Sequence, residues 1–221
     1  MKPFGGVESL AWAPDGKSVV YVSRKKTGMA YALSTNSDLY QYNLETKETK
    51  NLTEGMMGYD TCPRFSKSGR YLAWLSMEHD GYESDMNRIF IMDMQTGEKK
   101  HLTSEWDYAA DNIEWSPNEK AIYFTAPYLG CTPMFKIDIE NLKIDTVASG
   151  EYDYAAIVPV NDDTIITLRH SLQEPNELYV ISNGETSKLS NVNDELLAQL
   201  NNVTVNKVMV PTTDGKEMTT W

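Results

Sequence analysis

The chain has 221 residues and a formal net charge of -12, from 20 Lys+Arg against 32 Asp+Glu. It holds no block of basic residues, and a nucleic-acid partner needs clustered positive charge to displace counterions, so that class is excluded. No apolar run approaches the roughly 18 residues of a membrane-spanning helix, and Met1-Lys2-Pro3 opens without the apolar core of a signal peptide, so the chain as written reads as soluble with no membrane partner.

From Ala11 to Ser23 the sequence reads AWAPDGKSVVYVS. Nearly the same phrase returns at Arg64 to Ser76 (RFSKSGRYLAWLS) and at Glu114 to Ala126 (EWSPNEKAIYFTA). The three copies align without a gap. An aromatic stands second (Trp12, Phe65, Trp115), then comes a turn of residues that favour tight backbone angles (Pro14-Asp15-Gly16, Ser68-Gly69, Pro117-Asn118), then an apolar strand. In that strand Val19 and Tyr21, Leu72 and Trp74, and Ile122 and Phe124 share one face, while Val20 and Val22, Ala73 and Leu75, and Tyr123 take the other. A strand apolar on both faces lies between two layers, so neighbouring units must stack on it. A divergent fourth copy, VPVNDDTIITLRH from Val158 to His170, keeps Ile166 and Leu168 on the expected face and puts Pro159 in the aromatic place.

Downstream of each copy comes a companion: DLYQYNLETKETKNLT from Asp38, RIFIMDMQTGEKKHLT from Arg88, MFKIDIENLKIDTVAS from Met134 and ELYVISNGETSKLS from Glu177. Each predicts an alternating strand, a polar turn and a short return strand. Two hairpins per unit make four strands, and the copies begin at residues 11, 64, 114 and 158, a spacing that marks propeller blades. The expected fold is all-β: a partial β-propeller of about four four-stranded antiparallel blades over residues 1–190, with blades near 7–55, 59–104, 108–150 and 154–190, and its aromatic-led first hairpins resemble those of TolB-like and other propellers. One short helix or turn is expected, over NDELLAQLNN (Asn193 to Asn202), with an Asn cap, acids in its first turn and Leu196, Leu197 and Leu200 on one face. Residues 191–221 are then a closing helix and a linker strand around Asp214-Gly215, with no return strand before Trp221.

Cys62 and Cys131 read as separate thiols, and His79, His101 and His170 stand apart, with no ligand spacing for a metal and no signature of a cofactor.

The phrase MEHDGYESDMNRIFIMDMQTGEKKHLT from Met77, with YDTCPRFSKSGRYLAWLS before it, resembles the propeller domain of the prolyl oligopeptidase family of serine peptidases, in its bacterial dipeptidyl-peptidase and acylaminoacyl-peptidase-like branch. RHSLQEPNELYV from Arg169, VNDELLAQ and TTDGKEMTTW are similar to the last blade and the strand leading to the catalytic domain. The resemblance implies a lid over an α/β-hydrolase domain carrying Ser, Asp and His, a peptide substrate and, by analogy, a periplasmic parent. This sequence has no G-x-S-x-G elbow, so no catalytic residue is assigned in it and any peptidase activity belongs to the parent chain. The family carries more than four blades, so an open arc that self-associates is expected.

An acid sits beside a tyrosine ahead of each inner strand: Tyr59-Asp60, Asp107-Tyr108 and Glu151-Tyr152-Asp153-Tyr154. These pairs are candidates for docking the cationic amino terminus of a peptide; the structural alternative is that they cap the repeats. Glu83 and Asp85 fall in the long Ser76–Ile89 loop, within reach of Arg88, and Arg169 needs an acidic partner on a neighbouring blade or domain, or a substrate. Two functions stay open: the gating propeller of a serine exopeptidase, and a non-catalytic TolB-like propeller that binds proteins. A glycan-binding propeller is compatible with the Trp and Tyr content, without a motif to support it.

Overall fold

The computed structural model describes residues 6–201 and 203–221. Met1-Lys2-Pro3 and Asn202, the last residue of the expected helix, lie outside them. After a 3-10 turn at Val7–Ser9, strands β1 (Leu10–Trp12), β2 (Ser18–Ser23), β3 (Asp38–Asn43) and β4 (Thr49–Asn51) form the first sheet. The second contains β5 (Asp60–Phe65), β6 (Tyr71–Ser76), β7 (Arg88–Asp93) and β8 (Lys99–His101). The third contains β9 (Asp111–Trp115), β10 (Ala121–Thr125), β11 (Met134–Asp138) and β12 (Ile144–Ala148). The fourth contains β13 (Asp153–Asn161), β14 (Thr164–His170), β15 (Glu177–Ser182) and β16 (Glu185–Lys188). In every sheet each strand pairs antiparallel with the next in sequence, so each sheet is one blade of consecutive strands.

Three apolar cores lie between the four blades. Val20, Val22 and Leu39 of the first meet Leu72, Trp74 and Met92 of the second; Ala73, Leu75, Ile89 and Ile91 meet Ile122, Phe124, Phe135 and Ile137 of the third; Tyr123 and Met134 meet Tyr154, Ile157, Ile165 and Ile181 of the fourth. The alternation along β6 therefore serves two cores, as its two apolar faces require. The repeated aromatic packs against the preceding blade: Trp115 donates from Nε1 to the Arg64 carbonyl at 2.9 Å and stacks on Tyr71, and is only 8% exposed. Trp12 occupies the same place in the first blade and is 63% exposed.

The fourth blade departs from the expected alignment. Pro159 pairs with Ile165, as Trp115 pairs with Ile122, so its turn is one residue shorter and the side chains after it are shifted by one. Ile165 and Thr167 are buried toward the third blade, not Ile166 and Leu168; a one-residue slip sends each side chain to the opposite face.

Two further expectations are corrected, an unforeseen helix and the missing return strand, while the short helix or turn near the C-terminus is present without its Asn cap. A helix, α1 (Gly28–Leu33), occupies the loop between β2 and β3, although none of its residues is buried and Met29 and Leu33 stand exposed. The expected C-terminal helix is a single turn, α2 (Asp194–Leu197); Asn193 does not cap it, because its backbone N and Nδ2 both donate to Glu177 Oε1 at 2.9 Å, and Leu196 and Leu200 are exposed. The linker does have a return strand: β17 (Val208–Pro211) pairs with β18 (Glu217–Thr220).

At one end of the array, blades are joined by backbone. Ser37 bridges to Tyr59, with Asp60 N donating to Ser37 O; Ala110 N donates to Asn87 O; Thr132 bridges to Asp153, with Tyr154 N donating to Thr132 O. At the other end the first turns of successive blades touch: Asn118 N donates to Asp162 Oδ1, and Glu119 accepts from the backbone N and the hydroxyl of Ser68.

Candidate functional site

The bridged end of the array gathers the loops between second and third strands and the connections between blades. All the candidate residues lie there, but in different settings. Asp60 opens β5 and is 0% exposed, so it faces the junction of the first two blades and not solvent. Asp107 is exposed; beside it Tyr108 tilts onto Trp106 at 5.2 Å and meets Tyr128 edge-on at 5.2 Å. Trp106 in turn packs edge-on against Phe124 and Phe135, which anchors this aromatic row to the core between the second and third blades.

Between the third and fourth blades a cavity of about 280 Å³ is lined by Gly130, Cys131, Glu151, Tyr152, Asp153 and Trp221, among others. Glu151 is exposed and Asp153 half-buried, with Asp153 Oδ2 3.6 Å from His170 Nε2. The close fit of the Tyr128–Cys131 turn needs Gly130: its φ is +79, and a Cβ there would come within 3.0 Å of Trp221 Nε1. Tyr154 is buried under this cavity, and burial pushes its phenol pKa up.

Arg169 supports the wall of the cavity. Its guanidinium lies 3.7 Å from the ring centre of Tyr152 and 3.6 Å from that of Tyr179, a cation between two aromatic faces. Its acidic neighbour is Glu174, at 3.8 Å, within the same blade and not on a neighbouring one. Glu174 also accepts from Tyr179 Oη at 2.8 Å and Lys188 Nζ at 2.7 Å. Burial alone would raise the Glu174 carboxyl; these partners hold it below the usual range.

Asp85 is a loop organiser. Its Oδ2 accepts from the amides of Glu78 and His79 and contacts His79 Nδ1 at 2.9 Å, and Oδ1 accepts from Met86 N at 2.8 Å. Burial opposes the charge, yet the His79 ring and these amides hold the carboxyl down at about 2. Arg88 pairs with Glu78 at 2.7 Å and reaches Asp85 at 4.0 Å; Glu83 is exposed and is not its partner. Asp80 ties this loop to the first blade, accepting from Ser34 Oγ at 2.7 Å, Thr35 N at 2.8 Å and Asn36 N at 3.1 Å.

The fold thus brings Glu151, Tyr152 and Asp153 together at one cavity, with Arg169 and Tyr154 behind them. Asp107 and Tyr108 lie on the adjacent aromatic row, and Asp60, Glu83 and Asp85 belong to the first two blades. Tyr128, Cys131, His170 and Trp221 were not foreseen from sequence; Tyr-Leu-Gly at 128–130 was a turn signal, but nothing local marks a cavity closed by a residue as distant as Trp221. Both cysteines are free. Among the described residues no cluster of three or more His, Cys, Asp or Glu is arranged to hold a metal ion, and no helix is long and apolar enough to cross a membrane. An open cavity with carboxylates on an aromatic wall suits a cationic group.

Four consecutive-strand blades with bridged junctions define a β-propeller built from repeats. The model of the TolB β-propeller domain matches residues 7–210, and the chain belongs to that family. It is 45% identical over its whole length to dipeptidyl-peptidase 5 of Porphyromonas gingivalis, of which it covers 32%, and 42% identical to the dipeptidyl-peptidase 5 of Porphyromonas endodontalis, with the same coverage. The chain therefore spans about a third of the length of these curated relatives. Among solved structures, acylaminoacyl peptidase from Pyrococcus horikoshii superposes with a TM-score of 0.73 at 20% identity, over 96% of this chain and 31% of that one.

Proposed function

We propose that this chain acts as the propeller part of a serine exopeptidase of the dipeptidyl- or acylaminoacyl-peptidase kind, gating access and docking the peptide amino terminus at the cavity between the third and fourth blades. The observation that carries the reading is the whole-length match to dipeptidyl-peptidase 5. The acidic cavity supports the docking part: Glu151 and Asp153 stand beside Tyr152 and Trp221, where an ammonium group gains both carboxylate and ring contacts. Bond cleavage is assigned to a hydrolase domain elsewhere in the parent.

Two measurements test this in the full-length gene product. Fluorophosphonate should label it at a serine outside these 221 residues and leave the isolated chain unlabelled. Absence of labelling in both would turn the assignment toward a TolB-like protein-binding propeller. Asp153→Asn with Glu151→Gln should raise KM for substrates with a free amino terminus about tenfold, equivalent to roughly 1.4 kcal/mol, and leave kcat unchanged. An unchanged KM would remove the docking role while leaving the peptidase assignment intact.

A further inference from the structure

The three blade junctions are built on one backbone pattern, and this makes the residue at its centre comparable from blade to blade. Asp60, Ala110 and Tyr154 each donate their backbone N to the preceding blade, to Ser37, Asn87 and Thr132 respectively, and all three are buried. A carboxyl is not needed for the junction, since an alanine and a tyrosine occupy the same place. Around the second-blade position the neighbours are polar where the third blade is apolar. Trp74 Nε1 donates to Asp60 Oδ1 at 3.2 Å and Ser76 pairs with Asp60 in the sheet, whereas Phe124 and Ala126 follow Ala110 in the third blade.

The Asp60 carboxyl is only half satisfied. Its Oδ2 is buried without a hydrogen bond, and Asp60 forms no ion pair among the described residues. The groups around it are the hydroxyls of Ser76 and Thr53, the indole of Trp74 and, as the charged neighbour, the Asp38 carboxylate, which repels a second negative charge. A buried ionised oxygen without a donor is costly, while a protonated one becomes a donor itself.

We propose that Asp60 is a proton-operated clasp between the first and second blades: protonated, its Oδ2 hydroxyl donates to Thr53 or Ser76 and closes the junction, and on ionisation it loosens the segment from Thr53 to Asp60. Burial pushes this carboxyl up to about 6, with Asp38 adding to the rise and the Ser76, Thr53 and Trp74 contacts opposing it. Because the folded value lies above the unfolded one, the clasp contributes fully below about 4, and its contribution falls as pH rises through 6. Ser76 also lines a cavity of about 330 Å³ with Met56, Met57 and Met77, so the loosened segment is one wall of that cavity.

The test is amide hydrogen exchange in the full-length gene product, corrected for intrinsic rates, at the Ser37 and Asp60 amides that span the junction. From pH 5 to pH 8 the wild type should lose about tenfold in protection. Asp60→Asn and Asp60→Ala, the latter matching Ala110, should show no such loss, and neither should the Ala110 junction in the same protein. Equal pH dependence in wild type and variants, or none in the wild type, would overturn the proposal. Should neither variant fold, an infrared titration of the wild-type Asp60 carboxyl decides: a midpoint near 6 supports the clasp, and one below about 4 rejects it.

Discussion

Backbone strain in the outer turns has a repeating address. In the turns between third and fourth strands, Asn43, Asp93 and Asp138 each accept two backbone amides through Oδ1, and the chain then passes through left-handed φ at Lys47 (62°), Gly97 (78°) and Leu142 (61°). Glycine adopts that conformation freely, whereas an L side chain costs about 1–2 kcal/mol. Lys47 is exposed and takes a place that the second blade gives to glycine. Lys47→Gly should therefore stabilise the protein by about 0.5–1 kcal/mol after the extra unfolded-state entropy of glycine is deducted, read as a higher denaturation midpoint at unchanged m. Leu142 is a different case, because its side chain packs on the core between the second and third blades; Leu142→Gly should lower the midpoint. Glu119 occupies the left-handed place of Gly16 and Gly69 in the other family of turns, and there the carboxylate bond to Ser68 of the preceding blade offsets the strain.

In the first, second and fourth blades the third strand is held at its entrance by a hydroxyl that follows the fourth strand. Leu39 N donates to Thr53 Oγ1 and Ile89 N to Thr103 Oγ1, both at 3.0 Å, and Leu178 N donates to Ser190 Oγ at 2.9 Å. This explains the Leu-Thr or Leu-Ser that closes three of the companions: the leucine amide continues the ladder and the hydroxyl fills the next rung. Thr103→Val keeps the volume but leaves a buried amide without an acceptor, so it should cost about 1–3 kcal/mol, while Thr103→Ser should cost distinctly less; chemical denaturation of the pair checks this. The repeats, their strands and their two-faced burial were legible in the sequence because periodicity 2 and the turn residues recur in every copy. The slip in the fourth blade was not, since removing one residue from Asn161-Asp162-Asp163 leaves an apolar run that fits either register. Nor was α1, whose six residues, GMAYAL, are apolar almost throughout and span less than two turns, too few to show a helical period. The candidate site was legible only as a set of acid-tyrosine pairs: nothing local distinguishes Asp60, which is buried, from Asp107, which is exposed, because the difference lies in the neighbouring blade.

The whole molecule is four layers and three cores, and its outermost faces have no fifth layer among the described residues. On the first blade Leu10 and Trp12 are exposed; on the fourth, Val158, Val160 and Leu178 are exposed. Apolar blade faces of this kind favour association, so the isolated chain should sediment as a concentration-dependent oligomer, and Trp12→Glu with Val158→Glu should shift it toward monomer. A monomer at all concentrations in the unaltered chain would disprove this.

Strand order also bears on how such a molecule is made. Since every ladder joins strands that follow one another in the chain, and each backbone bridge between blades joins a blade to the next one, no strand pairing has to wait for a distant segment. Pairing between sequence neighbours keeps the loops to be closed short, and a chain synthesised from its amino end can complete each blade on the one already formed. The ribosome, in effect, delivers the layers in the order in which they stack.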